Sequence, residues 1–283
     1  MLGLGSGVIY GNRLERTGFV YDFPGVVAAF SLRRLASNAP YAIRIRETGS
    51  NNEKDIGFDS SGNLDTSAIS SFCGSNDGVV TKWYDQANAN HALQTDTDKQ
   101  PKIYTSSAVI TEGGNSRPAI LGDTDDLLSL STTLSLATEF SFSMVAETGA
   151  GSGGQRTWFG GPSPSGSSFY QRNGAFFTLT ADGTTSNAYI HEYNAFSGTQ
   201  GATLYHFFAS DGSGNYALHV DGTSEATGTQ VQTFTFNTLF ANSSGTKNLA
   251  QKMQEVVFYD VSKSASRSDI QTNIESYYDI AGI

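Results

Sequence analysis

The sequence predicts an all-β protein, folded as a β-sandwich in which helices are short and few. Aromatic residues make up 12% of the 283 residues and charged residues only 16%, a composition that argues against disorder. The 31 glycines, together with frequent Ser, Thr and Asn, are typical of a chain in which many turns connect strands. A chain of this length can bury a substantial core, and we expect a single sandwich domain.

We expect an extended N-terminal arm over residues 1–24 and the sandwich over residues 25–283. In the arm, glycine and polar residues alternate with single apolar ones, and Pro24 closes the segment. Such a segment packs on its own domain, on a sister subunit or on a larger assembly, or stays a flexible terminus. Its start lacks the basic stretch of a signal peptide, so we expect synthesis in the cytoplasm without export. No apolar run is long enough to cross a bilayer, so no membrane insertion is expected.

The elements of the first third follow from periodicity and capping. Residues 41–46 alternate apolar and basic side chains, which predicts a strand with its isoleucines on one face and its arginines on the other. Residues 67–72 predict a short helix that Asp65 or Thr66 caps. Residues 79–84 predict a further strand.

Strand signals are dense in the second half of the chain. Residues 140–146 alternate in a strand pattern, with one face formed by Phe140, Phe142, Met144 and Ala146. Predicted strands at 175–180, 203–210 and 216–220 each end in an Asp-Gly pair, a strong hairpin signal because both turn positions need positive φ. The pairs are Asp182-Gly183, Asp211-Gly212 and Asp221-Gly222.

The chain ends in a predicted strand and a predicted helix. Residues 253–259 form the strand, near whose start Glu255 is expected to face solvent. Residues 266–278 form a C-terminal helix, with Ser266 or Ser268 as its cap. At helical spacing, the buried stripe of this helix consists of Ile270, Ile274 and Tyr277 or Tyr278.

Several motifs, in chain order, carry a family resemblance. They are Phe-Ser-Leu-Arg-Arg-Leu at 30–35, Ala-Ile-Arg-Ile-Arg at 42–46, Trp-Tyr-Asp-Gln at 83–86, Glu-Val-Val-Phe-Tyr-Asp at 255–260 and Asn-Ile-Glu-Ser-Tyr-Tyr at 273–278. The early motifs resemble the opening of the catalytic sandwich of family 54 arabinofuranosidases. The series looks even more like the lectin-like domains of structural proteins of marine tailed bacteriophages. The resemblance implies a concanavalin A-like lectin/glucanase sandwich of the jelly-roll type, which does not by itself supply a function.

The sharpest local match is the motif formed by Trp83, Tyr84, Asp85 and Gln86, to which we assign a structural role. Trp83 is expected in the core with its indole N–H hydrogen-bonded. Asp85 and Asn88 are expected to hold a tight turn by accepting hydrogen bonds from backbone amides. The alternative is that they ligate Ca²⁺ together with nearby carbonyls. The histidines lack the spacing of a zinc site, and no other metal or cofactor is predicted.

Two clusters of aromatic and polar residues beside Gly- and Ser-rich segments are candidates for carbohydrate binding. Sugar C–H faces stack on aromatic rings, and sugar hydroxyls form hydrogen bonds with planar polar groups. The same residue types also suit protein–protein interfaces or an ordinary sandwich core. The candidates are Trp158, Tyr170, Arg172 and Asn173 in one cluster and Tyr189, His191 and Tyr193 in the other.

Glycoside hydrolysis is an alternative function, because the resemblance extends to an enzyme family. It requires two carboxylates across a cleft. The family's active site also has a vicinal disulfide beside the substrate sugar, which a chain with one cysteine, Cys73, cannot form. Cys73 is interpreted as a small buried hydrophobe. No segment matches the family's nucleophile motif, so we predict no catalytic residue.

The expected function is therefore that of a non-enzymatic virion structural protein, a head or tail appendage or decoration, whose sandwich binds host surface glycan. The resemblance implies that the arm contacts other virion proteins and that the chain forms homo-oligomers. A net charge of −10 disfavours nucleic-acid binding, which needs a basic face. A free carbohydrate-binding module and an arabinofuranosidase-like hydrolase remain the alternatives.

Overall fold

A computed structural model describes residues 18–147, 155–161, 168–172, 176–180, 203–230, 233–241 and 250–280. Strands dominate these residues, and pairing between neighbouring strands is antiparallel throughout. The strands are β1 (Val26–Ser31), β2 (Ile43–Glu47), β3 (Glu53–Ile56), β4 (Gly78–Trp83), β5 (Ala92–Leu93), β6 (Lys102–Thr105), β7 (Ala108–Val109), β8 (Ile120–Gly122), β9 (Leu128–Leu136), β10 (Glu139–Glu147), β11 (Gln155–Gly160), β12 (Ser168–Arg172), β13 (Phe176–Thr180), β14 (Thr203–Asp211), β15 (Gly214–Val220), β16 (Thr223–Gln230), β17 (Phe234–Leu239) and β18 (Gln251–Tyr259). The helices are α1 (Phe19–Asp22), α2 (Thr66–Cys73) and α3 (Arg267–Tyr278), the last preceded by a 3₁₀ turn at Ser264–Ser266.

One continuous, curled sheet forms two layers, which confirms the predicted β-sandwich. The first layer runs β1–β18–β10–β14–β15–β16. The second runs β3–β2–β4–β5–β9–β17–β11–β12–β13. Strand β8 pairs with both β18 and β6, and β6 pairs with β4, so these short strands join the layers at one edge.

The core between the layers is rich in aromatic side chains. Phe142 of the first layer meets Phe159 of the second edge-on at 5.1 Å between ring centroids, and Phe258 packs on Phe236 at 4.4 Å. The predicted alternation in β10 is confirmed, because Phe140, Phe142, Met144 and Ala146 all enter this core. Such edge-to-face and offset contacts are the geometry that aromatic pairs favour.

A second core covers the outer face of the first layer. There α3 packs Ile270, Ile274 and Tyr278 against the sheet, which confirms the predicted stripe. The predicted strand pattern does not show this layer, since serines at 141 and 143 occupy the outer face of β10 and are nonetheless fully buried. The outer core therefore depends on α3 rather than on the periodicity of the strand.

The last residues of the predicted arm pack on the domain itself. Phe19 and Val20, in α1, are buried against Leu35 and α3's side of the sheet. The amide of Val20 donates a hydrogen bond to the carbonyl of Leu35 at 3.2 Å. Residues 18–24 of the predicted arm therefore pack on the chain's own sandwich. Residues 1–17 lie outside the described part of the chain.

Local capping and turn chemistry follow the sequence closely. Asp65 caps α2 by accepting a hydrogen bond from the amide of Ala68 at 2.9 Å. Asp221 and Gly222 both have positive φ, 46° and 75°, as the hairpin signal requires. At the pair 211–212 only the glycine does, and the pair at 182–183 lies outside the described residues. Ser266 precedes α3 but makes no side-chain capping bond.

Cys73 ends α2 and is 2% exposed. Burial raises the pKa of its thiol to about 11, so the side chain behaves as a small hydrophobe at neutral pH. This agrees with the interpretation drawn from the sequence. No described helix has both the length and the apolar character needed to cross a membrane.

The expectation that Glu255 faces solvent is wrong. It is fully buried beneath α3 and forms a bidentate ion pair with Arg33, at 2.7 Å from Nε to Oε2 and 2.9 Å from Nη2 to Oε1. The hydroxyls of Ser31 and Tyr278 also donate to Oε2, at 2.8 and 3.2 Å. Glu255 lies on the face of β18 that α3 covers, so the helix converts a solvent-facing position into an interior one.

Candidate functional site

The Trp-Tyr-Asp-Gln motif begins at the last residue of β4 and fixes the loops around it. Trp83 is fully buried and packs edge-on against Phe30, with 5.9 Å between ring centroids. Its core position is as predicted. Its indole Nε1–H, however, finds no acceptor among the described residues, contrary to expectation. Packing with aromatic neighbours, rather than a hydrogen bond, holds this ring in place.

Asp85 organises a tight turn, as predicted. Its Oδ1 accepts hydrogen bonds from the amides of Ala29 and Ala87, both at 2.9 Å, and its Oδ2 from the amide of Asn90 at 3.2 Å. The predicted role of Asn88 is wrong in direction, because its side-chain amide donates to the carbonyl of Val27 at 3.1 Å. The described residues hold no group of three or more His, Cys, Asp or Glu side chains arranged for a metal ion.

Gln86 pins the segment that follows β1. Its Oε1 accepts from the amide of Leu35 at 2.7 Å, and its Nε2 donates to the carbonyls of Ser31 and Arg33 at 3.0 and 2.9 Å. Both the oxygen and the nitrogen of its side-chain amide are therefore bonded to the backbone of residues 31–35. The motif is therefore a framework that positions neighbouring side chains.

That framework shapes a groove of about 390 Å³, here named the tyrosine groove. Tyr41 is 40% exposed, and its ring lies 5.7 Å from that of Tyr84. The ring of His91 meets Tyr84 edge-on at 4.8 Å. A Cβ built at Gly57 would lie 2.7 Å from the carbonyl oxygen of Pro40, so the loop before Tyr41 can approach β3 only because residue 57 has no side chain. The groove is lined by Asn38, Ala39, Pro40, Tyr41, Tyr84, Asp85, Gln86, Ala87, Ala89 and His91.

Tyr84 is held rigidly and stays neutral. Its hydroxyl donates to Asp55 Oδ1 at 2.7 Å, and Asp55 in turn accepts two hydrogen bonds from Arg44, at 2.7 and 2.8 Å. Hydrogen bonding from Arg44 lowers the pKa of Asp55, which keeps this acceptor charged. Burial and the charge of Asp55 raise the pKa of the Tyr84 hydroxyl. The ring is therefore fixed, with Tyr41 beside it and the ammonium of Lys82 5.0 Å from its centroid.

His91 lines the groove and carries one ring N–H. Its Nδ1 accepts from the amide of Asp85 at 3.1 Å, which places the proton of the neutral ring on Nε2. Burial and the cation of Lys82 lower the pKa of His91, so the ring is neutral at pH 7. Asn38 adds an amide whose Oδ1 already accepts from the hydroxyl of Tyr21 at 2.7 Å, leaving its NH₂ group as a donor. Two aromatic rings and two donors thus meet in one groove.

The carbohydrate-binding candidates from the sequence do not form this site. Trp158 is fully buried in the core between the layers, and Tyr170 is 6% exposed, so neither presents an open ring face to an external sugar in this structure. Arg172 ends β12, and its side chain is outside the description. Asn173, Tyr189, His191 and Tyr193 lie outside the described residues.

Sequence reasoning missed Tyr41 and His91. Alternating Phe and Tyr in dense strand signals pointed to the second half of the chain, where the rings instead fill the core. The available signal was positional: Tyr41 follows Pro40 just before a strand, and His91 follows the Trp-Tyr-Asp-Gln motif by five residues. Loop aromatics next to turn residues are more often exposed than aromatics inside strands.

Carboxylates capable of catalysis do not converge in the tyrosine groove. Its lining carboxylate, Asp85, is 6% exposed and accepts the three amide hydrogen bonds described above. A separate groove of about 440 Å³, here named the Asp221 groove, contains Asp221, Arg267 and Glu275. Burial raises the pKa of Asp221 to about 6. The carboxylate also accepts a hydrogen bond from the amide of Tyr205 at 2.9 Å, a contact that belongs to its turn.

Comparison with known proteins places this fold. No family model and no curated protein matches the chain. Among solved structures, an arabinofuranosidase complexed with arabinofuranosyl-alpha-1,2-xylobiose aligns with a TM-score of 0.69 at 15% identity, over 93% of this chain and 65% of that one. A GH54 a-l-arabinofuranosidase soaked with a cyclic sulfate inhibitor aligns with a TM-score of 0.65 at 15% identity, over 89% and 63%. The chain shares their sandwich fold. It spans less than two thirds of their length.

Proposed function

We propose that this protein is a non-catalytic, lectin-like β-sandwich that binds a glycan in the tyrosine groove. The observation that carries the proposal is the exposed Tyr41 beside the fixed ring of Tyr84, with His91 lining the same groove. An aromatic wall takes the C–H face of a sugar, and nearby donors orient its hydroxyls. The ligand class is a neutral hexose or pentose unit, since no charged group in the groove is free to pair with an ion.

The proposed binding is weak for a single sugar. The proposed contact is stacking of one sugar ring on Tyr41, so affinity toward a polymer would come from several copies acting together. This suits a chain displayed in many copies on a particle. A homo-oligomeric virion component, with a head or tail position and its N-terminal residues contacting other virion proteins, is the setting that the sequence resemblance favours. It remains part of the proposal.

A glycan array followed by NMR titration tests the binding site. Tyr41→Ala should reduce the affinity of the best array ligand about tenfold, because the stacking ring is lost. Tyr41→Phe is the matched control and should bind as the wild type does, since it keeps the ring. Binding that is unchanged in Tyr41→Ala, or an array with no ligand at all, would contradict the proposal.

Quantitative mass spectrometry of purified phage particles from the source that encodes this chain tests the setting. A fixed, multi-copy ratio to the capsid protein is the expected result. Absence from complete particles would remove the virion assignment while leaving the glycan-binding assignment to the array. The two experiments therefore separate the location of the protein from its ligand.

Glycoside hydrolysis is a second candidate, favoured by one observation. Asp221 and Glu275 share the Asp221 groove, and a carboxyl with a pKa of about 6 suits a general acid. Release of nitrophenol from 4-nitrophenyl α-L-arabinofuranoside would be the assay, with Asp221→Asn and Glu275→Gln as variants. We expect the wild type to release no more nitrophenol than the two variants do. Turnover by the wild type that both variants abolish would replace the binding proposal with an enzymatic one.

A further inference from the structure

A third groove, of about 450 Å³, lies between α2, the turn at residues 111–118 and the end of α3. We name it the arginine groove. It shares no lining residue with the tyrosine groove. Its lining is largely polar and includes Asp59, Asn63, Thr66, Thr111, Ser116 and Arg117.

The guanidinium of Arg117 is fixed in this groove from two sides. It lies 4.4 Å from the centroid of the Tyr277 ring, a cation–π distance. Its Nη1 donates to Asn63 Oδ1 at 3.2 Å. The amide of Asn63 cannot turn over freely, because its Nδ2 donates to Asp59 Oδ2 at 2.9 Å. The arginine is therefore positioned before any ligand arrives, which limits the ordering cost of binding.

Arg117 has no carboxylate partner among the described residues, and unlike Arg46, which also lacks one but is hydrogen-bonded to Gln100, Asn51 and Thr97, it keeps part of its guanidinium unbonded. Arg33 pairs with Glu255 and Arg44 with Asp55, whereas no described carboxylate lies within 4.0 Å of the Arg117 guanidinium. Its Nε and Nη2 form no hydrogen bond to any described residue. A guanidinium stays charged at all relevant pH values. Two parallel N–H donors of a fixed, charged fork are the geometry that binds a carboxylate.

The surroundings of Arg117 narrow the ligand class. Asp59 stays ionised, because hydrogen bonds from the Asn63 side chain and from backbone amides lower its pKa. This nearby negative charge, with the net charge of −10, disfavours a bare anion of high charge density. A ligand must therefore gain affinity from groups other than its charge. Thr66, Thr111 and Ser116 line the same groove, and hydroxyl side chains of this kind can exchange hydrogen bonds with a polyhydroxylated ligand.

We propose that the arginine groove binds an acidic saccharide, with the carboxylate of a uronic-acid-type sugar on Nε and Nη2 of Arg117 and the sugar hydroxyls against the Thr and Ser side chains. This is a second ligand site of a different chemical class from the neutral-sugar site at Tyr41. The ring of Tyr277, which holds Arg117 from below, belongs to α3, so occupancy also bridges the C-terminal helix to the turn at 111–118. The proposal does not depend on the tyrosine groove.

Isothermal titration calorimetry of the full wild-type chain tests the contribution of the ligand's carboxylate to binding. The two ligands are trigalacturonate and the same trisaccharide with its carboxyl groups reduced to CH₂OH. We expect the acidic form to bind about tenfold or more tightly, with the difference shrinking as salt is raised. Arg117→Met should abolish the difference, and Arg117→Lys should restore only part of it because the fork is lost. Arg34→Gln, which changes an exposed arginine stacked on Phe58 outside the groove, is the matched control and should change nothing.

Equal binding of the acidic and reduced trisaccharides would overturn the proposal, as would acidic-sugar binding that survives Arg117→Met in full. No detectable binding of trigalacturonate at ~10 mM would also overturn it, because the free energy of binding would then be weaker than about −3 kcal/mol. A Tyr41→Ala protein should bind trigalacturonate normally. That last measurement separates failure of this site from failure of the proposed function.

Discussion

Removing one partner of the buried Arg33–Glu255 ion pair should destabilise the protein severely. Glu255 is fully buried and the Arg33 side chain is 9% exposed. Burial disfavours a charged guanidinium, yet the Glu255 carboxylate more than compensates and raises the pKa of Arg33 above its ordinary value. Glu255→Leu leaves this cation in the interior without its counter-charge. Breaking a buried pair in this way costs about 3–5 kcal/mol.

The cost has a second component, because the pair also anchors α3. Arg33 Nη1 donates to Asn273 Oδ1 at 2.8 Å, and the hydroxyl of Tyr278 donates to Glu255 at 3.2 Å. Removing Arg33 deletes the hydrogen bond to Asn273, and removing Glu255 deletes the hydrogen bond from Tyr278. We therefore expect amide exchange in α3 to accelerate more than exchange in β10, which retains its pairing with β14 and β18.

Urea denaturation, followed by circular dichroism, measures the free energy of unfolding for Arg33→Met, for Glu255→Leu and for the double variant. Removing both charges together avoids the unpaired ion, so the double variant should be less destabilised than the sum of the singles by about 2 kcal/mol or more. Lys99→Met is the control, because its pair with Asp96 is nearly half exposed on both sides. Single variants that cost less than about 1 kcal/mol, or costs that simply add, would refute this account of the pair.

Three further outcomes are expected. Asp85→Ala should lower the free energy of unfolding, measured by urea denaturation, by about 2–4 kcal/mol, because the buried amide of Ala29 loses its acceptor. Asn88→Ala, which alters an exposed residue, is the control and should cost far less. The folded-state pKa of Asp221, about 6, exceeds its ordinary 3.8, so its contribution to stability is complete below about pH 4 and is lost as the pH rises through 6. Asp221→Asn should therefore gain stability over the wild type at pH 7 and lose that advantage at pH 4, in thermal melts at both values. Tyr205→Phe should be as stable as the wild type or more so, since the buried hydroxyl has no partner among the described residues; a melting temperature lowered by several degrees would show that an acceptor exists.

Individual elements were predictable from the sequence because capping, turn conformation and periodicity depend on residues close together in the chain. The cap at Asp65, the turn at Asp221-Gly222 and the stripe of α3 each depend on residues within a few positions of one another. The inward face of β10 follows from its own alternation. In each case the physical cause, a side-chain cap, a positive φ or a period, acts over one turn or one strand, so the sequence displays it directly.

The candidate site was less accessible from the sequence. Trp158 and Tyr170 have the right chemistry for sugar contacts, but Trp158 enters the core between the layers and Tyr170 is only 6% exposed. Tyr41 and His91 are 50 positions apart and meet only because both lie next to Tyr84. Composition identifies which side chains are able to bind a sugar; exposure depends on which layer covers them.

By itself, the sequence determined an all-β sandwich with a C-terminal helix, a buried unreactive cysteine and a framework role for Asp85 and Gln86. Only the tertiary structure decided that Glu255 is interior, that Arg117 forms no ion pair with a described carboxylate and that Tyr41 lines a groove. The reason is physical. Periodicity and capping are set by neighbours along the chain, whereas burial and charge pairing are set by residues up to 222 positions away, as between Arg33 and Glu255.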